Sequence, residues 1–177
     1  MEFTAEQTIA IILKDGANAI ARFIDEKRAE DTFLDFKEKT RIDGTAKLSD
    51  DDKKNYEMAL SGFANTEGGV LIWGVKAKTS EGKVAVEDRA IKNVDNFLAE
   101  LNHILHQAVD PPVIGAANSV VKNNQSSGYV ITFVPKSLSG RPHRAELKSK
   151  KYFHRIGDSF LKESLEAKKH LERHNEL

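Results

Sequence analysis

Leu60-Ser61-Gly62-Phe63-Ala64-Asn65-Thr66-Glu67-Gly68-Gly69-Val70-Leu71-Ile72-Trp73-Gly74-Val75 is the stretch on which the fold turns. Its first half closes a helix that Ser49 opens. Asp50, Asp51 and Asp52 follow that cap, where acids complement the positive end of the helix dipole. Tyr56, Leu60 and Phe63 supply the helix's apolar side, and it should end near Asn65. Gly68-Gly69 then breaks the chain. Val70 to Val75 is almost wholly apolar, the pattern of a central strand covered on both faces. Trp73, inside that strand, reads as core.

Upstream, Phe33 to Glu38 reads as a short strand, with Leu34 and Phe36 on one side and Phe33, Asp35 and Lys37 on the other. Thr4 with Gln7 forms a capping box that opens a helical segment reaching about Glu30. Ile9, Ile12, Ala17, Ile20, Phe23 and Ile24 can form its buried stripe, and Gly16 leaves open whether it is one helix or two. Residues 41–48 read as a polar loop. Downstream, a short strand is expected near Val84. The spacing of Val94, Phe97, Leu98, Leu101, Ile104 and Leu105 predicts an amphipathic helix that Asp110-Pro111-Pro112 ends. A hairpin around Asn123 to Gly128 should follow. Lys150 to Ile156 looks like a last strand, and a charged helix is expected from Asp158 onward. His103 and His106 share a helix face, but no nearby acid or cysteine completes a metal set.

The chain is 40% hydrophobic and 31% charged, which excludes a disordered or collagen-like polypeptide. No apolar run approaches a membrane span, no signal-peptide pattern opens the chain, and cysteine is absent. The expectation is a cytoplasmic single domain over residues 1–177 with no membrane partner and no disulfide or thiolate chemistry. Net charge is zero but unevenly spread. Residues 1–135 carry 16 Lys+Arg against 21 Asp+Glu, and residues 136–177 carry 11 against 6. From Lys136 to Arg155 there are seven basic residues and one acid, Glu146. That distribution admits either a solvated basic surface or a phosphate-binding patch.

The Phe33-Leu34-Asp35-Phe36-Lys37-Glu38 phrase and the Leu60 to Val75 stretch together resemble the Schlafen-type Alba domain. Its hallmarks are an E-F-K strand, a helix reading S-A-F-A-N-T-x-G-G, and a strand closing in G-V. Pro142-His143-Arg144 and Tyr152-Phe153-His154-Arg155-Ile156-Gly157 match a late segment of that family. The resemblance covers residues 30–160, flanked by the N-terminal helical segment and the C-terminal charged helix. It implies an α+β fold, a mixed or antiparallel sheet packed by helices, and nucleic-acid binding in regulation or defence. By analogy with Alba-like folds that pair, it also implies homo-oligomers.

Some Schlafen relatives cut RNA, transfer RNA especially, with three carboxylates around a metal. The resemblance places the first at Glu30, the second at Asp35 and the third at Lys76, which is no acid. Two acids hold Mg²⁺ or Mn²⁺ weakly, and a lysine repels it. Glu67 or Asp88 would have to substitute in space. The plainer reading makes Glu30 a helix-end acid and Asp35 an exposed strand acid. No G-x-x-x-x-G-K-[ST] loop is present, so nucleotide hydrolysis has no visible machinery.

The expected function is therefore a backbone-directed DNA- or RNA-binding module that needs no cofactor. A metal-dependent ribonuclease is the alternative, and a protein-interaction module a third reading. The residues expected to meet the ligand are Arg141, His143, Arg144, Lys148, Lys150, Lys151 and Arg155, with Lys37, Lys39 and Arg41 adding to the surface. Strand alternation puts Tyr152 and Phe153 on opposite faces, so one is core and the other is free to stack on a base. Asn65, Gly68 and Gly69 form either a helix-to-strand corner or, through free N–H groups, a phosphate cradle.

Overall fold

The computed structural model describes residues 2–41, 43–79 and 82–163. Two short helices, α1 (Ala5–Asp15) and α2 (Ala17–Asp25), precede strand β1 (Leu34–Lys37) and helix α3 (Asp50–Ala64). Then come β2 (Gly69–Trp73), β3 (Val75–Lys78), β4 (Val84–Asp88), β5 (Ile91–Lys92) and helix α4 (Val94–Ile104). The chain continues through β6 (Val109–Asp110), β7 (Ala117–Lys122), β8 (Ser127–Val134), β9 (Arg144–Ala145), β10 (Phe153–Ile156) and β11 (Ser159–Lys162). The fold is α+β. Gly16, at φ +59°, splits the N-terminal segment, and both capping boxes form, Thr4 with Gln7 and Ser49 with Asp52.

The main sheet is mixed. β1 lies parallel to β2, β2 antiparallel to β8, and β7 pairs with the other edge of β8. Alternation along β2 explains why that strand is apolar throughout. Leu71 and Trp73 join Tyr56, Leu60 and Phe63 of α3 and Phe97 and Leu101 of α4. Val70 and Ile72 join Ile12, Ile20, Phe23, Leu34 and Phe36 on the opposite face. The sheet is thus clad on both sides, and every β2 side chain leaves water. Each large one contributes about 1.5–3 kcal/mol by that burial. Trp73 and Phe97 meet edge to face, 5.4 Å apart.

Three expectations need correcting. The helical segment stops at Asp25, so Glu30 is no helix-end acid; its backbone N–H donates to Lys83 O beside β4. Asp35 does face away from Leu34 and Phe36, but that side is covered as well, and the residue has no exposure. No helix begins at Asp158. Gly157 and Asp158 form a two-residue turn, and β11 returns antiparallel to β10. Residues 164–177, over which the rest of the expected charged helix falls, lie outside the described residues.

Candidate nucleic-acid interface

Three polar side chains, four residues apart along α3 and just past its end, hold the late basic segment against the domain. Glu57 is fully buried, and its carboxylate accepts hydrogen bonds from three successive amides: Leu147 (2.6 Å), Lys148 (2.9 Å) and Ser149 (2.7 Å). Ser61 Oγ donates to His143 O and accepts from the Phe153 amide. Asn65 uses its amide in full. Nδ2 donates to His143 O, Phe153 O and Ser61 Oγ, while Oδ1 accepts from the His143 amide at 2.8 Å. A spacing of i, i+4 aligns such groups on one helix face. Asn65 keeps the right-handed helical conformation, at φ −76°.

The glycines serve the same corner. Gly68 sits at φ +80°, where its amide donates to Phe63 O, and a Cβ on Gly69 would collide with the Phe63 ring. The corner's polar groups are thus directed at its own chain.

This scaffold fixes residues 141–151 as a shaped, basic excursion. Arg141, Lys148, Lys150 and Lys151 are exposed and Arg144 is half-buried. Arg144 Nε pairs with Glu146 at 2.5 Å, Lys150 with Glu146 at 2.8 Å and Lys148 with Asp50 at 2.7 Å. Hydrogen bonds from Arg144 and then Lys150 hold the Glu146 carboxyl below the usual range. Arg141 and Lys151 have no carboxylate partner among the described residues. Instead, the Lys162 ammonium beside Lys151 pulls its pKa down.

Four residues expected at the surface are placed elsewhere. Arg155 is buried, and its guanidinium is spent on the interior. Nη1 donates to Asp35 Oδ1 (3.1 Å), Nε and Nη2 to Asp31 O, and Nη2 to Leu34 O (2.8 Å). The Phe160 ring lies 4.3 Å from its guanidinium carbon and the Phe63 ring 5.3 Å. Phe153 is the core aromatic of its pair, and Tyr152 is half-buried. His143 is buried between Pro111 O, 2.5 Å from Nδ1, and Ser137 Oγ, 2.6 Å from Nε2. Burial, first of all, lowers its pKa, so the ring is neutral and the carbonyl assigns the proton to Nδ1. Lys37 is paired to Asp35 Oδ2 at 2.9 Å, and Lys39 is buried. The causes differ. Arg155 of β10 and Lys37 of β1 meet at Asp35, whereas His143 and Lys39 lie in loops, His143 enclosed beside Pro111 and Ser137 and Lys39 near the Phe97 ring.

Glu30 lies near enough to Asp35 to feel its charge, but in a setting unsuited to Mg²⁺ or Mn²⁺. Arg155 and Lys37 take the two Asp35 oxygens. Glu30 Oε1 accepts from the Phe36 amide, and Lys83 Nζ stands 4.0 Å from Oε2. Burial, followed by the Asp35 charge, pushes Glu30 up to about 7. A hard cation needs ionised, available oxygens, whereas burial favours the protonated form of Glu30 and both Asp35 oxygens already face cations. Among the described residues the third acid does not arrive from elsewhere. Lys76 pairs with Glu87, Glu67 with Lys136, and Asp88 accepts from Tyr129 OH. Among the described residues no three His, Asp or Glu converge as a metal set.

The chain belongs to the Schlafen AlbA_2 family, whose model matches residues 30–163. Among solved structures it is similar to the N-terminal domain of a putative ATP-dependent DNA helicase RecG-related protein from Nitrosomonas europaea. That match has 15% identity, a TM-score of 0.49, and coverage of 93% of this chain and 95% of the other. It is also similar to the DIP2311 protein from Corynebacterium diphtheriae, at 14% identity and TM-score 0.47. There 85% of this chain is covered, and the chain spans 30% of that protein's length. No curated protein matches. Among the described residues no helix is long and apolar enough to cross a membrane.

Proposed function

We propose that this chain is a nucleic-acid-binding module that grips the phosphate backbone of DNA or RNA with residues 141–151. The observation that carries this reading is the buried Glu57 carboxylate holding three consecutive amides of that segment. A loop so fixed presents Arg141, Arg144, Lys148, Lys150 and Lys151 on a backbone already ordered, so binding has only their side chains to order. Membership of the AlbA_2 family supports the same conclusion.

The ion pairs already made there do not oppose it. Exposed pairs contribute about 0–1 kcal/mol each, so a phosphate can displace Glu146 or Asp50 cheaply. The Lys151 and Lys162 ammoniums, side by side, gain when an anion arrives between them. Arginine offers a bidentate fork and lysine a mobile point charge. Both address the backbone rather than base edges, so little sequence preference is expected. The second basic stretch borders the first without merging. Lys148 reaches Asp50, and the Thr40 amide and hydroxyl donate to Asp52 Oδ1, so both stretches end at the acidic first turn of α3.

Fluorescence anisotropy with labelled single- and double-stranded DNA and RNA tests the reading. Binding at ~50 mM salt that weakens steeply by ~200 mM is the expected result. No binding to any of the four ligands at the lower salt would reject it.

A further inference from the structure

A cleft of about 340 Å³ opens between the loop after β1 and the β4–β5 connection, lined by Lys39, Arg41, Thr45, Ala90, Ile91 and Lys92 among others. Its size falls in the ~300–1,000 Å³ range of small-ligand sites. The two walls are tied together, since Asn93 Nδ2 donates to Gly44 O at 2.7 Å.

The electrostatics of this cleft are unbalanced in one direction. Lys39 is 5% exposed, yet its ammonium donates only to Arg41 O (2.9 Å) and lies 5.8 Å from the centre of the Phe97 ring. No carboxylate pairs with it among the described residues. Burying an ammonium without a counter-charge is costly. One acid lines the cleft, Asp88, which accepts from Tyr129 OH (2.8 Å) and the Ala90 amide (2.9 Å) and carries a charge that offsets one of the cleft's cations. Arg89 is neutralised by Glu38 at 3.3 Å and Glu87 at 3.1 Å. That leaves Lys39 within and the exposed Arg41 and Lys92 at the rim, all three without an acidic partner among the described residues.

We infer that this cleft binds the phosphate group of a nucleotide, with Lys39 as the buried counter-charge and Arg41 and Lys92 closing over it. A bare phosphate would leave much of the volume empty, and Ala90 and Ile91 give an apolar wall for the attached sugar or base. The same chemistry serves a free nucleoside monophosphate or a nucleotide of a strand. The site does not depend on the basic loop, so either can fail alone.

Titration calorimetry decides, using adenosine monophosphate, inorganic phosphate and a short 5′-phosphorylated oligonucleotide with the full chain. The variants are K39M, the surface double variant R41A/K92A, and K148E/K150E/K151E. Saturable binding is expected, weakened about ten-fold or more by K39M and by R41A/K92A. It should be retained by the loop variant for the mononucleotide. Mononucleotide binding would identify a free nucleotide as sufficient; binding of the oligonucleotide alone, still sensitive to R41A/K92A, would assign the phosphate to a strand. R41A/K92A keeps the test open should K39M fail to fold. Absence of binding by all three probes, or binding indifferent to R41A/K92A, overturns the site.

Discussion

Arg155 and Arg144 stand eleven positions apart in one basic segment, yet the surroundings of the two give them opposite work. Around Arg155 the guanidinium is fully enclosed, stacked on Phe160 and forked onto Asp35 and two backbone carbonyls. Around Arg144 the partner is Glu146 at the surface, with water as the competitor. The first arrangement joins β10 to β1 across 120 residues of sequence. The second costs little to break. Residue type announces a charge; burial and partners decide whether that charge holds the fold or meets a ligand.

The comparison breaks most visibly at Arg155. Arg155→Met would strand Asp35 in the interior with Lys37 alone, and removal of one partner from a buried pair costs about 3–5 kcal/mol. Urea denaturation should show that loss; a change below about 1 kcal/mol would mean that the pair is not structural.

Glu30, in the same interior cluster, ties stability to pH. Its folded value near 7 lies above the ordinary 4.5, because of burial and then Asp35, against the opposing Phe36 amide, Lys37 and Arg155. Below about pH 4.5 the group is protonated both folded and unfolded. Between there and pH 7 the unfolded chain gives up the proton first, so stability falls as pH rises. The total is on the order of 3 kcal/mol. Glu30→Gln should flatten that slope and stabilise the protein at about pH 8. Denaturation midpoints at about pH 5 and pH 8 that shift equally in both proteins would refute the assignment.

Glu57→Ala frees three partly buried amides of the basic loop. The expected loss is about 1–3 kcal/mol, together with weaker nucleic-acid binding because the loop no longer arrives ordered. Faster amide exchange at Leu147, Lys148 and Ser149 would locate the effect.

The smallest change in stability belongs to the exposed side. Lys148, Lys150 and Lys151 replaced together by Glu should move stability by only about 1 kcal/mol, while binding falls far more. Equal losses in both quantities would erase the distinction between the two regions.

Local signals in the chain carry much of the fold. Ser49 followed by three aspartates marks α3, the unbroken apolar run from Val70 marks β2, and the Asn123 to Gly128 turn marks the β7–β8 hairpin. Each depends on neighbours a few residues away. Asp35 and Arg155 depend on a partner 120 positions distant, and no periodicity encodes that meeting. The burial of Arg155 escapes the sequence for the same reason, since strand alternation names a face without naming what lies over it, and Lys39 and His143 lie in loops where no periodicity applies. One element that the sequence reading misses does have a signal. Gly157-Asp158 between Ile156 and Ser159 is a two-residue hairpin turn, with Gly157 at φ +54° supplying the left-handed position. Recognising that turn assigns Ser159–Lys162 to a returning strand rather than to a helix.

The salt dependence of binding, compared between the natural protein and K148E/K150E/K151E, tests the phosphate-grip claim most directly. For every phosphate that the variant no longer neutralises, the slope of log K against log salt should fall by roughly 0.7–0.9. A folded variant whose slope is shallower by about 2–3 is the predicted result. A variant that stays folded and keeps both the affinity and the slope of the natural protein would contradict it.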